Sequence, residues 1–182
     1  HSKVSSMWKC CHSRCSGVYC KGVKTLTIPL SIKWLPRPAA KYPGCYPIGY
    51  ENILVDKLGT ENFVHLFGGM SKRGHRVDLN KDVNPDTIAD VHDLPFEDDS
   101  FDGGAADPPY TEEFARTLYN CDYPKWSVWT KELVRVVKPG GKIAIMHNYI
   151  VPKLSGCDYN EIFVALNRIK QFPKIVPKYR IP

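Results

Sequence analysis

Nowhere in this 182-residue chain does an apolar run approach the ~20 residues needed to cross a bilayer, and its start is polar and cysteine-rich rather than signal-like. The expectation is a soluble, cytoplasmic protein that engages no membrane. Acidic residues are missing from the first 50 positions, which carry eight Lys or Arg and no Asp or Glu. The middle reverses this balance: residues 51–150 hold 11 basic and 17 acidic residues, and residues 151–182 hold six basic and two acidic. Basic ends of this kind suit a phosphate backbone, and an acidic centre suits a cationic ligand. Internal repeats and low-complexity tracts are also lacking, which leaves one domain with a small appendage. A content of 43% apolar residues is enough to give that domain a core.

Paired Cys-x2-Cys knuckles are absent although the chain has seven cysteines. Cys10, Cys11, Cys15 and Cys20 crowd near the start, while Cys45, Cys121 and Cys157 are scattered. A disulfide framework does not suit a cytoplasmic chain. The spacing Cys11-x3-Cys15-x4-Cys20, with Cys45 as a distant fourth ligand and Cys10 and His12 alongside, can close a tetrahedral zinc site; the alternative is reduced thiols in a small core.

Residues 1–48 read as a separate basic unit: the cysteine cluster, a β-branched, strand-like stretch over 23–35, and a proline-rich segment over 35–47. Regular structure is expected from 49 onward. Residues 49–58 carry helical spacing on Ile53, Leu54 and Leu58 and stop at Gly59. Strands are expected at 62–67, 76–79, 87–90, 101–106 and 142–147, with helices over 111–120 and 125–137. The second helix runs into Lys138-Pro139-Gly140-Gly141, read as a stop, and 161–169 with 174–181 suggest a terminal antiparallel pair. Strands alternating with helices predict an α/β, doubly wound, mostly parallel sheet over 49–182.

The tetrapeptide Asp107-Pro108-Pro109-Tyr110 follows an apolar strand and unites a carboxylate, two imino acids and an aromatic ring. The prolines fix φ and donate no hydrogen bonds, so the chain leaves the strand stiff and extended, with the Asp107 carboxylate and nearby carbonyls as outward acceptors. Acceptors so placed can hold an exocyclic NH2 group, and Tyr110 can stack on the heterocycle that bears it. The plainer reading is a proline-rich turn with Tyr110 in the core.

Several segments agree in order: Phe63-Val64-His65-Leu66-Phe67-Gly68-Gly69, Arg76-Val77-Asp78-Leu79-Asn80, the stretch from Ala89-Asp90-Val91 through Leu94-Pro95-Phe96 to Ser100-Phe101-Asp102, the tetrapeptide, and Val137-Lys138-Pro139-Gly140-Gly141-Lys142. Together, over residues 49–150, they resemble a class I S-adenosylmethionine-dependent methyltransferase. The tetrapeptide is similar to that of nucleic-acid amino-methyltransferases, the adenine-specific DNA enzymes especially. The resemblance implies a Rossmann-like sheet, S-adenosylmethionine as cofactor, and methyl transfer to an exocyclic amine of a base, with DNA preferred over RNA as partner. It implies that Asp107, Pro108, Pro109 and Tyr110 are catalytic. It further implies that Phe67, Gly68, Gly69, Asp78, Asp90, Val91 and Asp107 line the cofactor: the glycines near its methionine part, Asp78 at the ribose and Asp90 at the adenine.

The chain also departs from this pattern. His65 stands where the first motif usually carries an acid, only eight residues separate Gly69 from Asp78, and residues 149–160 are few for a helix. No inserted target-recognition domain is evident, so base selection is assigned to the basic N-terminal unit or to a partner chain, a second copy included. Trp126 and Trp129, at helical spacing, are expected in the core rather than on bases. His147-Asn148-Tyr149 is expected on the ligand-binding edge of the sheet. A methyltransferase of RNA, a protein side chain or a small molecule is the nearer alternative. A non-catalytic nucleic-acid-binding module on the same fold is the more distant one.

Overall fold

The computed structural model describes residues 27–36, 45–166 and 174–180. They form an eight-stranded sheet of order β1-β7-β8-β6-β5-β2-β3-β4 with helices on its two faces. The strands are β1 (Leu30–Trp34), β2 (Phe63–Leu66), β3 (His75–Asp78), β4 (Thr87–Ile88), β5 (Phe101–Ala106), β6 (Val137–Ile145), β7 (Asp158–Leu166) and β8 (Lys174–Arg180). Pairing is parallel from β4 through β3, β2 and β5 to β6, while β8 runs antiparallel to both β6 and β7. The α/β, mostly parallel, Rossmann-like sheet is therefore observed. Among the described residues no helix is long and apolar enough to cross a membrane.

Helix α1 (Tyr50–Leu58) forms where the sequence places apolar residues one turn apart; Tyr50, Leu54 and Leu58 make a single buried stripe. Gly59 ends it in the left-handed conformation (φ 76°), with its N–H returned to the Val55 carbonyl at 2.8 Å. The stripe packs with Phe63, Ala105, Ala144, Met146 and Phe163 on one face of the sheet. Helix α3 (Trp126–Val136) buries Trp129, Leu133 and Val136 against the other face, with Val64, Leu66, Val77, Ile143 and Ile145. Its close approach is set by β5: a Cβ on Gly104 would lie 2.8 Å from Leu133 Cδ1. A shorter helix, α2 (Glu112–Leu118), follows the tetrapeptide and starts on Thr111, whose hydroxyl accepts the Phe114 N–H at 3.1 Å.

Three features differ from the sequence expectation or extend it. Helix α3 does end just before Lys138-Pro139-Gly140-Gly141, but these four residues do not separate it from the next strand, because β6 begins at Val137 and contains them. Phe101 pairs with Val137 and Gly103 with Lys142, so these residues form a bulge, turned by Gly140 at φ 82°. Between β2 and β3 there is no helix, as the short spacing implied; only turns connect Phe67 to Gly74. Strand β1, from within the basic unit 1–48, joins the sheet edge in parallel register with β7, Leu30 opposite Ile162 through Trp34 opposite Leu166.

Candidate active site

The order of the sheet reverses between β2 and β5. From β2 the chain builds outward through β3 to β4, then returns to lay β5 on the other side of β2 and β6 beyond it. Crevices beyond the carboxyl ends of strands at such a reversal are where doubly wound sheets hold ligands. The sequence-predicted residues gather there. Phe67, Gly68 and Gly69 leave β2, Asp78 ends β3, Asp90 follows β4 by two residues, and Asp107 leaves β5 with its N–H on the Leu66 carbonyl at 3.3 Å.

The turn after β2 is held from below. Phe67 occupies the left-handed region (φ 54°), uncommon for a bulky side chain and a conformation that persists where surrounding contacts enforce it. Its ring meets Trp129 edge-on at 5.5 Å. Trp129 is fully buried and touches Trp126 at 4.9 Å, so this pair is core, as its spacing suggested. A side chain at Gly68 would press on Arg76 Cβ and Cγ at 3.0 Å, whereas one at Gly69 (φ 47°) would meet nothing within 4 Å. Gly68 is therefore required by packing, and Gly69 by its backbone conformation beside open space. Asp78 binds the turn with one oxygen, accepting the Gly69 N–H at 3.1 Å, and its own strand end with the other, accepting the Asn80 N–H at 2.9 Å.

Asp90 is fixed by a neighbour that sequence reading had passed over. The Lys125 backbone N–H donates to His92 Nε2 at 2.8 Å, so that nitrogen is unprotonated and Nδ1 carries the hydrogen it gives to Asp90 Oδ1 at 2.6 Å. Burial pushes the Asp90 carboxyl upward, but hydrogen bonds from the His92 backbone and ring outweigh it and hold the group below the usual carboxylate range. Since Lys125 is the N-cap of α3, the pair ties the β4 end to that helix. Val91 is a core side chain beneath.

At the β5 end, Pro108 and Pro109 are buried and the Tyr110 hydroxyl donates to Asp107 Oδ1 at 2.7 Å. The Tyr110 ring leans on His147 at 5.1 Å, and His147 on the half-exposed Tyr149 at 3.9 Å, so the segment after β6 does reach this edge. Two further phenols come from a stretch read only as proline-rich linker and helix start. Tyr46 lies 4.8 Å from Tyr50, and the Asp107 charge, second to burial itself, pushes the hydroxyls of both tyrosines well above their ordinary range. Tyr50 carries the helical spacing of α1, whereas Tyr46, in the proline-rich stretch before it, carries no periodic signal.

The metal expectation lies largely elsewhere: Cys11, Cys15 and Cys20 fall outside the described residues. Cys45 is a half-buried free thiol, and among the described residues no three His, Cys, Asp or Glu side chains cluster as metal ligands.

No protein-family model matches this chain, and no curated protein matches it. Solved structures do. The N-methyltransferase NodS from Bradyrhizobium japonicum WM9, in complex with S-adenosyl-l-homocysteine, superposes with a TM-score of 0.53 at 11% identity over 73% of this chain and 85% of NodS. A SAM-dependent methyltransferase from Methanosarcina mazei gives 0.51 at 12% over 75% of this chain and 97% of that one. The fold is that of S-adenosylmethionine-dependent methyltransferases. TrmN from Thermus thermophilus adds 0.51 at 16%, over 72% of this chain and 48% of its own length. At such identities the likeness is one of fold.

The acceptors at this edge suit a ligand that carries hydroxyl and amine donors. Asp78 ends β3 and Asp90 stands two residues beyond the adjacent β4, where such donors would arrive, and the Gly69 turn faces open space.

Proposed function

We propose that the protein transfers a methyl group from S-adenosylmethionine to an exocyclic amino group of a nucleic-acid base, adenine in DNA foremost. The observation that carries this reading is the place of Asp107-Pro108-Pro109-Tyr110: the carboxyl end of β5, at the reversal of the sheet, next to the Gly68–Gly69 turn. The fold supports the donor, and the tetrapeptide supports an amine acceptor. NodS, an N-methyltransferase by its description, has this fold as well.

S-adenosylmethionine supplies, when bound, a methyl group on a positively charged sulfur, and the electron pair of the broken S–C bond stays on sulfur. Asp78 and Asp90 are the residues to accept from its ribose and adenine, and the Phe67-Gly68-Gly69 turn flanks its methionine part. The Asp107 carboxylate and the Pro108 carbonyl accept the two N–H hydrogens of the incoming amine. That turns the nitrogen lone pair out of conjugation and aims it in line, so positioning supplies most of the acceleration. The same acceptors stabilise positive charge developing on nitrogen and direct the proton it sheds toward solvent; losing one such group typically costs factors of hundreds. To admit the amine, the Tyr110 hydroxyl gives up Asp107, and the freed ring stacks on a base drawn from its helix at a few kcal/mol. Base selection falls to the basic unit 1–48 or to a partner chain.

One observation favours a second reading, a nucleic-acid-binding module without catalysis: Asp107 is engaged by Tyr110 in the closed corner. Labelled S-adenosylmethionine offered with DNA, RNA, protein and small-molecule pools separates these cases. The expected outcome is label in DNA, lost by at least about a hundredfold in Asp107→Ala, while calorimetry shows S-adenosylmethionine still bound by the variant. Label in another pool moves the substrate class. No binding of S-adenosylmethionine at millimolar concentration favours the second reading.

A further inference from the structure

The departure at His65 leads to one more functional group. His65 is the last residue of β2 that faces α1, it pairs in register with Ala105, and Asp107 follows two positions later, just beyond β5. His65 is 1% exposed and yet fully partnered. Its Nδ1 lies 3.2 Å from the Arg73 carbonyl oxygen, which can only accept, so Nδ1 carries the ring hydrogen. Nε2 is then bare and accepts the Tyr46 hydroxyl at 2.8 Å. The two rings are nearly parallel (15°) with centroids 5.7 Å apart. The His65 ring is thus offset from that of Tyr46 and bonded to its hydroxyl, which fixes the orientation of the phenol. Tyr50 packs on Tyr46 at a 33° tilt and is itself 3% exposed, a rigid backing.

Tyr110 bonds the Asp107 carboxylate directly, and Tyr46 and Tyr50, packed on each other, both feel its charge. Electron-rich ring faces beside an anion make a site for a cation with little hydration of its own. A sulfonium fits that description, and an ammonium or guanidinium, with strong hydrogen-bond donors, fits it less well.

Building on the function proposed above, we infer that Tyr46 recognises the positive charge of the methyl donor through its ring face, and that His65 is the positioning residue that sets this ring. The donor loses its charge when its methyl leaves, so the contact favours S-adenosylmethionine over S-adenosylhomocysteine and helps the spent cofactor depart. His65 contributes a neutral acceptor in place of an acid: a carboxylate there would hold the same hydroxyl but add a second anion beside Asp107.

Calorimetry on the full chain tests this through the ratio of the two dissociation constants, S-adenosylhomocysteine over S-adenosylmethionine, which requires no turnover. Tyr46→Leu is expected to lower the ratio about fivefold, within the span of cation–π contacts. Tyr46→Phe fills the same volume and carries the test should the leucine variant fail to fold; without its tether the ring loosens, and the ratio drops about twofold. His65→Leu is expected to match Tyr46→Phe, and His65→Gln, which keeps an acceptor for the hydroxyl, to restore the wild-type ratio. Loss of affinity for both cofactors in equal proportion, leaving the ratio untouched, means that Tyr46 is structural and overturns the inference while the methyltransferase reading stands. Absence of S-adenosylmethionine binding by the wild type removes both.

Discussion

Among single residues, His65 makes the sharpest energetic statement. Burial drives its imidazole down from 6.5 to about 4, with the nearby Arg76 charge acting the same way, against the opposing pull of the Arg73 carbonyl and Glu51. The sign follows from linkage. Above pH 6.5 the ring is neutral whether the chain is folded or not, and its hydrogen bonds stabilise fully. As pH falls below 6.5 the unfolded chain takes up a proton that the folded chain refuses, and stability is lost until about pH 4, where the folded ring is protonated too. Between pH 7 and pH 5 this amounts to about 2 kcal/mol. Urea unfolding at both pH values checks it. His65→Gln is expected to lose about 2 kcal/mol less than wild type over that interval, and equal losses in the two proteins would contradict a buried neutral imidazole. That a histidine stood in an acid's place was legible in the sequence. Its role was not, because the partners Tyr46 and Arg73 lie 19 and 8 residues away in a chain reversal and a turn.

For whole elements, legibility followed periodicity. Helices α1 and α3 were readable because their buried residues recur every three or four positions, and β5 because an apolar segment runs into two prolines, where no helix can continue. β6 was misjudged at its start. Pro-Gly-Gly is a strong stop signal locally, but β5 offers a partner strand already at Phe101, and tertiary pairing draws the four residues into the ladder as a bulge. Gly141 is what permits this. A Cβ there would stand 2.8 Å from the Lys138 carbonyl oxygen and 2.9 Å from that of Asp102, both backbone atoms that cannot step aside. Gly141→Ala should therefore cost about 1–3 kcal/mol in a denaturant titration, whereas Gly140→Asn, at a left-handed position with nothing within 4 Å, should cost well under half of that. Equal costs at the two positions would mean that the bulge relaxes, and the account of β6 would need revision.

Across the whole molecule, fold and charge divide the work. The sheet brings acidic strand ends, Asp78, Asp90 and Asp107, to one edge, which suits a cationic cofactor and disfavours phosphate at that same edge. A nucleic-acid substrate must therefore gain its affinity elsewhere, and the first 50 residues, with eight Lys or Arg and no acid, are the obvious source. Strand β1, which carries Lys33, joins the end of the sheet remote from β4. Binding through the basic stretch is counterion release, and log K falls linearly with log salt by about 0.9 for each duplex phosphate neutralised. If four phosphates are engaged, raising salt from 50 to 200 mM weakens duplex binding by about 150-fold, while S-adenosylmethionine binding at the acidic edge changes far less. Fluorescence anisotropy with a labelled duplex and with the matching single strand measures both slopes. A slope near zero, or no binding at 50 mM salt, would leave the cofactor site intact but withdraw nucleic acid as the substrate, and the acceptor amine would then be sought on a small molecule or a protein side chain.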